Sequence, residues 1–465
     1  MFSAATYLRR RDLLRKSVGD GIILLLGNEE SPMNYTDNTY HFRQDSTFLY
    51  FLGLNFAGIA AVLDCETGED IVYGNDLTVE DFVWMGPQPT IAYRAKAAGI
   101  TKTAPLSGLE KALRTAEDKG RRIHFLPPYR PENKIKLFEL IGILPSEAKA
   151  ESSPELIMAV VEQRNHKSAE EVAEIEKAVN ISVDMHLAAM RMARPGVPES
   201  EITAACHAIA IAAGGNIAFP IIATINGQTL HNHFHGNILK QGQMFLADMG
   251  AETAMGYCGD LSSTVPVDPH FTSRQKEIYE IALASHNKAI EMLRPGIPFR
   301  EVYLESARVI TRGLKDMKLM KGNVDDAVEA GAHALFFPCG LGHMMGLDVH
   351  DMEDLGEVYV GWAGNPKPTQ FGIKSLRLGR PLEPGFVFTI EPGIYFIPEL
   401  IDQWKASGHN REFLNFDRIE EYRTFGGIRN EENYLITETG CRLLGKPKPK
   451  SAEDVEKEHS KGMPL

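Results

Sequence analysis

The sequence predicts an α+β protein of two domains, the second being two copies of one α/β half. Three observations carry this prediction. The first 150 residues combine a short helix with apolar strands. A capping box restarts the chain near residue 167. The string Met192-Ala193-Arg194-Pro195-Gly196-Val197-Pro198 recurs as Met292-Leu293-Arg294-Pro295-Gly296-Ile297-Pro298. At 465 residues the chain is about three times a common domain size, so two or three domains are expected.

In the first part, residues 8–14 read as helix. Residues 21–26, 59–63 and 70–73 read as strands bounded by Gly, Asp and Asn turns. The aromatic-rich stretch from Tyr40 to Phe51 reads as core. Ser168 and Glu171 fit a capping box, in which the serine accepts from the backbone three residues on and the glutamate returns the bond. Apolar residues then follow at helical spacing to about Met192. The domain boundary is placed at about 165. Each copy of the repeat ends one long helix at Arg-Pro-Gly and opens another behind a proline, which a helix start tolerates. This matched context points to an internal duplication, and two such halves are expected to bury a shared sheet. The predicted segments are a 1–165 domain, a 166–445 domain, and a charged, Pro-broken tail at 446–465 expected to be exposed and without catalytic role.

The net charge of −13 argues against non-specific nucleic-acid binding and against an anionic membrane surface. Hydrophobic residues at 43% and charged residues at 24% argue against general disorder. The longest aliphatic run, Ile22 to Leu26, is far too short to span a bilayer. The N-terminus has no apolar stretch behind its basic residues and reads as an amphipathic helix rather than a secretory signal. Cys65, Cys206, Cys258, Cys339 and Cys441 are odd in number and scattered, so a reducing compartment and a cytoplasmic location are expected.

Two apolar strands each end in an acid followed shortly by glycine: 244–250 carries Asp248, and 386–393 carries Glu391. A buried carboxylate without a partner is costly, so each needs a reason. Asp260 follows Asp248 after a Gly-containing turn. If that hairpin centres near Ala254, the two carboxylates face each other about 5 Å apart and repel unless a cation or a proton intervenes. His343 lies in the glycine-rich 340–346, and Glu431 in 426–432. Taken singly, each acid reads equally well as a turn or cap residue. Together Asp, Asp, His, Glu and Glu make an oxygen-rich set with one imidazole, suited to hard divalent ions such as Mn²⁺. The first half supplies two members and the second half three, so the cleft between halves is the expected site.

These segments resemble the pita-bread metallopeptidases, the group containing aminopeptidase P and prolidase. The matching stretches are FLADMGAE…GDLSSTVPV, GLGHMMGLDVHD, FTIEPGIYF and GGIRNEENYLITETG, while HFRQDSTFLYFLG and DFVWMGP are similar to the creatinase-like N-terminal domain of the same proteins. The resemblance implies a creatinase-like α/β domain followed by a pita-bread catalytic domain. It also implies two divalent metal ions, Mn²⁺ before others, held by Asp248, Asp260, His343, Glu391 and Glu431. Asp260 and Glu431 would bridge the pair, with Asp248 completing one ion and His343 with Glu391 the other. The implied reaction is hydrolysis of the Xaa-Pro bond by metal-activated water, with Glu391 moving the proton. His231 and His350 match substrate-side histidines that could donate to the developing oxyanion or hold the proline side. Arg377 matches an arginine associated with the substrate's carboxylate end. Arg429 would support Glu431 or serve as a buried ion-pair partner. Trp84 resembles a tryptophan that reaches a neighbouring subunit's site, with a packed core residue as the other reading. A homo-oligomer, dimer or tetramer, is implied, with proline-containing peptides as substrate and neither nucleic acid nor membrane as partner.

The chain departs from the pattern in three places. Cys339 stands where a histidine is usual. The Asp248–Asp260 interval is one residue longer than usual, to be absorbed by a bulge or a longer turn between Glu252 and Gly256. Ser262 replaces the usual threonine. His231, His233 and His235 alternate and would share one face of a strand, which could suggest a separate three-histidine zinc site; one substrate histidine with loop neighbours is preferred. The favoured activity is that of aminopeptidase P, ahead of an Xaa-Pro dipeptidase (prolidase). A metal-free hydrolase and a catalytically silent peptide-binding module on the same fold rank lower, because all five ligands are present.

Overall fold

The computed structural model describes residues 1–462. The chain forms two compact units, one of residues 1–164 with 352–359 and one of 165–351 with the residues from 360 onward. In the first unit, β1 (Ile22–Leu26), β2 (Ala60–Asp64), β3 (Asp70–Tyr73), β4 (Lys102–Ala104) and β5 (Ile123–His124) form one sheet in the order β4-β3-β2-β1-β5. β2 is antiparallel to both neighbours, whereas β5 and β4 join β1 and β3 in parallel. Ile22 to Leu25 are all buried, which explains an uninterrupted apolar run where alternation would mark a half-exposed strand. The aromatic stretch contributes a helix, Ser46–Leu52, capped by Asp45 and buried along its whole length, though Tyr40 before it is exposed.

The N-terminal helix spans Ala4–Val18 and buries one face, but that face carries arginines as well as apolar residues. Arg11 is fully buried. Its guanidinium donates to Asp70 Oδ2 at 2.7 Å and to the carbonyls of Phe51 and Ala98 at 2.9 and 3.0 Å. A buried guanidinium is tolerated because its donors are satisfied.

The second unit shows the duplication in its hydrogen bonds. The capping box at Ser168 and Glu171 opens the helix Ala169–Met192. Helix Glu199–Ala212 follows it, and Ser273–Met292 with Phe299–Asp316 repeats the arrangement. In the first copy Gly196 N donates to Leu239 O, and Leu239 N returns to Val197 O. In the second, Gly296 N donates to Leu382 O, and Leu382 N returns to Ile297 O.

The unit's strands are β6 (Asn216–Ile217), β7 (Ile222–Thr224), β8 (Met244–Met249), β9 (Ala251–Glu252), β10 (Leu261–Pro266), β11 (Val387–Ile390), β12 (Gly393–Tyr395), β13 (Gly427–Arg429), β14 (Glu432–Ile436) and β15 (Cys441–Leu443). The halves do not share one continuous ladder as expected. The first half holds β10-β8-β7 and the second β11-β14-β15, with β12-β13 and β6-β9 as separate pairs. The sheets meet through Glu431 N, which donates to Ser262 O at 3.2 Å.

Residues 446–462 are not an exposed tail. Lys448, Ala452, Val455, Glu458 and His459 are all buried. The helix Ala452–Ser460 lies against Ala169–Met192 and β10, burying Ala452, Val455, Glu458 and His459 along one face. No helix among the described residues is long and apolar enough to cross a membrane.

Candidate metal centre

β8 carries Asp248, and Asp260 directly precedes β10, but the strands pair in a register other than the one expected. Asp248 pairs with Ser262, not Asp260. The same register runs outward to Glu252 opposite Cys258, so no bulge interrupts the ladder and the turn at 253–256 absorbs the extra residue. Close approach holds this register: a Cβ on Gly250 would lie 1.7 Å from Gly259 O. Residues 260 and 262 share parity, so Asp260 still projects from the face that carries Asp248, as its diagonal neighbour.

In the second half, the segment before β11 adds to that strand. Glu391 N donates to Leu341 O, Thr389 N to His343 O and Met345 N to Val387 O. This pairing sets His343 beside Glu391, with Nε2 3.5 Å from Oε1 and 3.3 Å from Asp260 Oδ2. His343 Nδ1 lies 3.1 Å from Met344 O, which leaves Nε2 to face the acids. Glu431 arrives between β13 and β14, and its Oε2 accepts from Ser262 Oγ at 2.8 Å.

Asp248, Asp260, His343, Glu391 and Glu431 thus converge on one cavity of about 320 Å³. Asp260, His343 and Glu431 offer ligand atoms within 4.8 Å of one another. Asp248 Oδ1, Asp260 Oδ1 and Glu431 Oε1 are buried with no hydrogen-bond partner. Orphaned anionic oxygens crowded together are unstable as they stand. Burial first, and the neighbouring Asp248 second, push Asp260 up to about 8. Burial pushes Glu391 up to about 7 and Glu431 well above the carboxylate range. Crowded carboxylate oxygens beside one imidazole are a donor set that fits a divalent cation.

Arg429 fills both roles expected of it. It is buried, donating through Nη2 to Asp248 Oδ2 at 2.5 Å, through Nε to Ser262 Oγ at 2.9 Å and through Nη1 to Tyr395 OH at 2.8 Å. Ser262 therefore relays Arg429 to Glu431. Two supporting hydroxyls, those of Tyr395 and Thr389, are not singled out by the sequence motifs. The Thr389 hydroxyl lies 3.2 Å from His343 N and 3.4 Å from Glu391 Oε1. Both residues sit an even number of positions from Glu391, and that spacing on a strand is the signal that could have found them.

His231, His350 and Arg377 line the same cavity. Burial, aided by Arg429, Arg377 and His350 against the pull of Asp248, lowers the His231 imidazole below its usual range. The His350 and His343 rings meet edge to face with centroids 4.3 Å apart. Cys339 lines the cavity too, its thiol pushed up to about 12 by burial and by Glu391, so it stands there as a neutral group. The strand that would align His231, His233 and His235 is not formed. His233 lines the cavity, and His235 Nε2 lies 2.9 Å from Ile221 O. Trp84 is not a core residue: it is 83% exposed, on a helix, Val79–Met85, that buries none of its residues.

Residues 173–438 match the model of metallopeptidase family M24, and residues 7–124 match that of the aminopeptidase P N-terminal domain. The chain is 29% identical to human Xaa-Pro dipeptidase, over 94% of this chain and 88% of that one. It is also 29% identical to a probable Xaa-Pro aminopeptidase of Aspergillus niger, over 96% and 95%. Among solved structures, Pseudomonas aeruginosa aminopeptidase PepP superposes with a TM-score of 0.82 at 25% identity, over 99% of this chain and 98% of that one. A variant of Escherichia coli aminopeptidase P gives 0.81 at 27%, over 99% of each.

Proposed function

The chain belongs to metallopeptidase family M24, and from that premise we propose that it hydrolyses the Xaa-Pro bond of peptides as an aminopeptidase of the aminopeptidase P type. The observation that carries this reading is the convergence of five potential ligands with three orphaned buried carboxylate oxygens. Asp248, Asp260, His343, Glu391 and Glu431 would hold two divalent ions, with Mn²⁺ suited to the donor set. Such ions, when bound, acidify water and polarise a carbonyl.

The remaining chemistry falls to this chain's residues. Glu391 accepts the proton of the attacking water and passes it to the leaving proline nitrogen. His231 and His350, both on the cavity wall, would donate to the carbonyl oxygen as its charge develops. Arg429 holds Asp248, and through Ser262 holds Glu431, so that neither rotates away. A proline nitrogen carries no hydrogen, so selectivity for it rests on shape and not on an amide donor.

An Xaa-Pro dipeptidase is the second reading. Arg377 on the cavity wall favours it, because a guanidinium there can hold the free carboxylate of a dipeptide. The exposed helix bearing Trp84 supports assembly into a dimer or tetramer through the first unit. Five scattered cysteines, none of them in a disulfide, support a reducing, cytoplasmic setting.

The test removes metal with a chelator, restores Mn²⁺, and follows an Xaa-Pro dipeptide beside a matched Xaa-Pro-Xaa tripeptide. Restored cleavage of both, with the tripeptide favoured, is expected. Cleavage of the dipeptide alone assigns a dipeptidase, and no cleavage with metal bound rejects the peptidase reading.

A further inference from the structure

Away from the cavity's carboxylates, the second unit buries an ion pair that the reaction does not use. Lys167 Nζ donates to Asp351 Oδ2 at 2.9 Å, and each side chain is 1% exposed. Burying two charges is expensive and seldom favoured over an apolar pair of the same size, so fold stability alone does not account for it. The pair is held at both ends. Lys167 N donates to Gly385 O, just before the strand that leads to Glu391. Asp351 Oδ1 accepts from Asp348 N at 3.2 Å, and Asp351 N donates to Met344 O, next to His343. Gly346 N closes the loop onto Asp348 O. Gly346 packs directly on the pair: a Cβ there would meet Asp351 Oδ2 at 2.7 Å and Lys167 Cε at 3.0 Å. The one imidazole in the closed loop is His350, set edge to face against His343.

We infer that Lys167 and Asp351 are positioning residues that act through the 346–351 loop to hold His350 against His343 and aim it at the substrate. The inference rests on the role proposed for His350. Lys167 itself is assigned no contact with substrate or metal. It fixes the carboxylate that closes the loop, and the loop fixes the imidazole. A shift of about 1 Å in such a group costs on the order of 100-fold in rate.

The test is a double-mutant cycle on the full-length, Mn²⁺-loaded protein with an Xaa-Pro tripeptide, reading kcat, KM and bound metal for Lys167→Met, His350→Ala and the two combined. Lys167→Met should lower kcat about 100-fold with bound metal unchanged and KM little moved. In the His350→Ala background the same substitution should cost less than about twofold, because the two act as one unit. Since Lys167→Met alone strands a buried carboxylate, the pair Lys167→Met/Asp351→Leu is measured as well. It should keep the wild-type melting temperature and still show the depressed kcat. A loss of equal size in both backgrounds overturns the inference, as does full recovery of kcat in the charge-free pair. If His350→Ala is fully active, the role of His350 itself is wrong and the inference falls with it. If His350→Ala is impaired and Lys167→Met is not, only the anchoring is wrong.

Discussion

Glu431 and Glu432 are adjacent, equally buried, and opposite in their surroundings. Glu432 Oε2 accepts from Tyr434 OH at 2.7 Å and Lys450 Nζ at 2.8 Å, with His286 Nε2 3.1 Å away. Burial alone would raise its pKa, but His286 and the two lysines Lys448 and Lys450 outweigh burial and hold it below the usual carboxylate range. Glu431 points to the other side of the chain, keeps one oxygen without a partner, and is driven above that range by burial, Asp260 and Glu391. One glutamate is a satisfied structural anion. The other has been left unsatisfied where three more acids gather. Burial does not separate the two; the count of hydrogen-bond partners does.

Glu431→Gln should sharpen this contrast most. Peptidase activity should fall at least about 1000-fold, the loss of several kcal/mol of charge stabilisation, while the metal-free protein melts no lower than wild type. Glu432→Gln should do the reverse. Removing the anion leaves the buried Lys448 without the carboxylate that faces it and should cost about 3 kcal/mol of stability by denaturant titration, with kcat at saturating Mn²⁺ within about threefold of wild type. If Glu432→Gln loses activity without losing stability, the two glutamates do not differ as described.

A smaller effect is one of pH. Asp260 at about 8 and Glu391 at about 7 lie above their unfolded values of roughly 4. The native, metal-free state therefore binds more protons than the unfolded chain between those limits. Stability is full below the unfolded values and is lost as pH rises through 7 and 8. Chelated protein should lose at least about 5 °C in melting temperature between pH 5.5 and 8.5. With saturating Mn²⁺ the slope should vanish or reverse, because metal displaces those protons. A chelated protein whose melting temperature is flat over that window would mean the acids are already paired. Smallest is Arg377→Ala, which should raise KM for a dipeptide about tenfold, the value of one charged hydrogen bond, and leave a tripeptide nearly unchanged.

Much of the site is legible in the sequence alone. Asp248 and Glu391 stand out because each closes an apolar strand, where an unpaired acid is costly, and both lie on the cavity. The repeat at 192 and 292 is legible because a helix stop and restart needs Arg-Pro-Gly-x-Pro chemistry in both places. The register of Asp260 is not, because it hangs on how many residues the turn at 253–256 takes up, and a shift of two keeps the same face. The burial of Arg11, Lys448 and His459 is not, because charged residues in a Pro-broken or basic stretch look exposed until their partners are known. The pairing of Lys167 with Asp351, 184 residues apart, leaves no local trace at all.

If the orphaned acids form one cation site, they should bind metal as a unit. Metal analysis of Mn²⁺-equilibrated protein after desalting decides this, on wild type beside Glu431→Gln and Glu432→Gln. About two ions per chain are expected for wild type and Glu432→Gln, and fewer than about one for Glu431→Gln. Equal metal in all three, or none in wild type, would contradict a shared cation site.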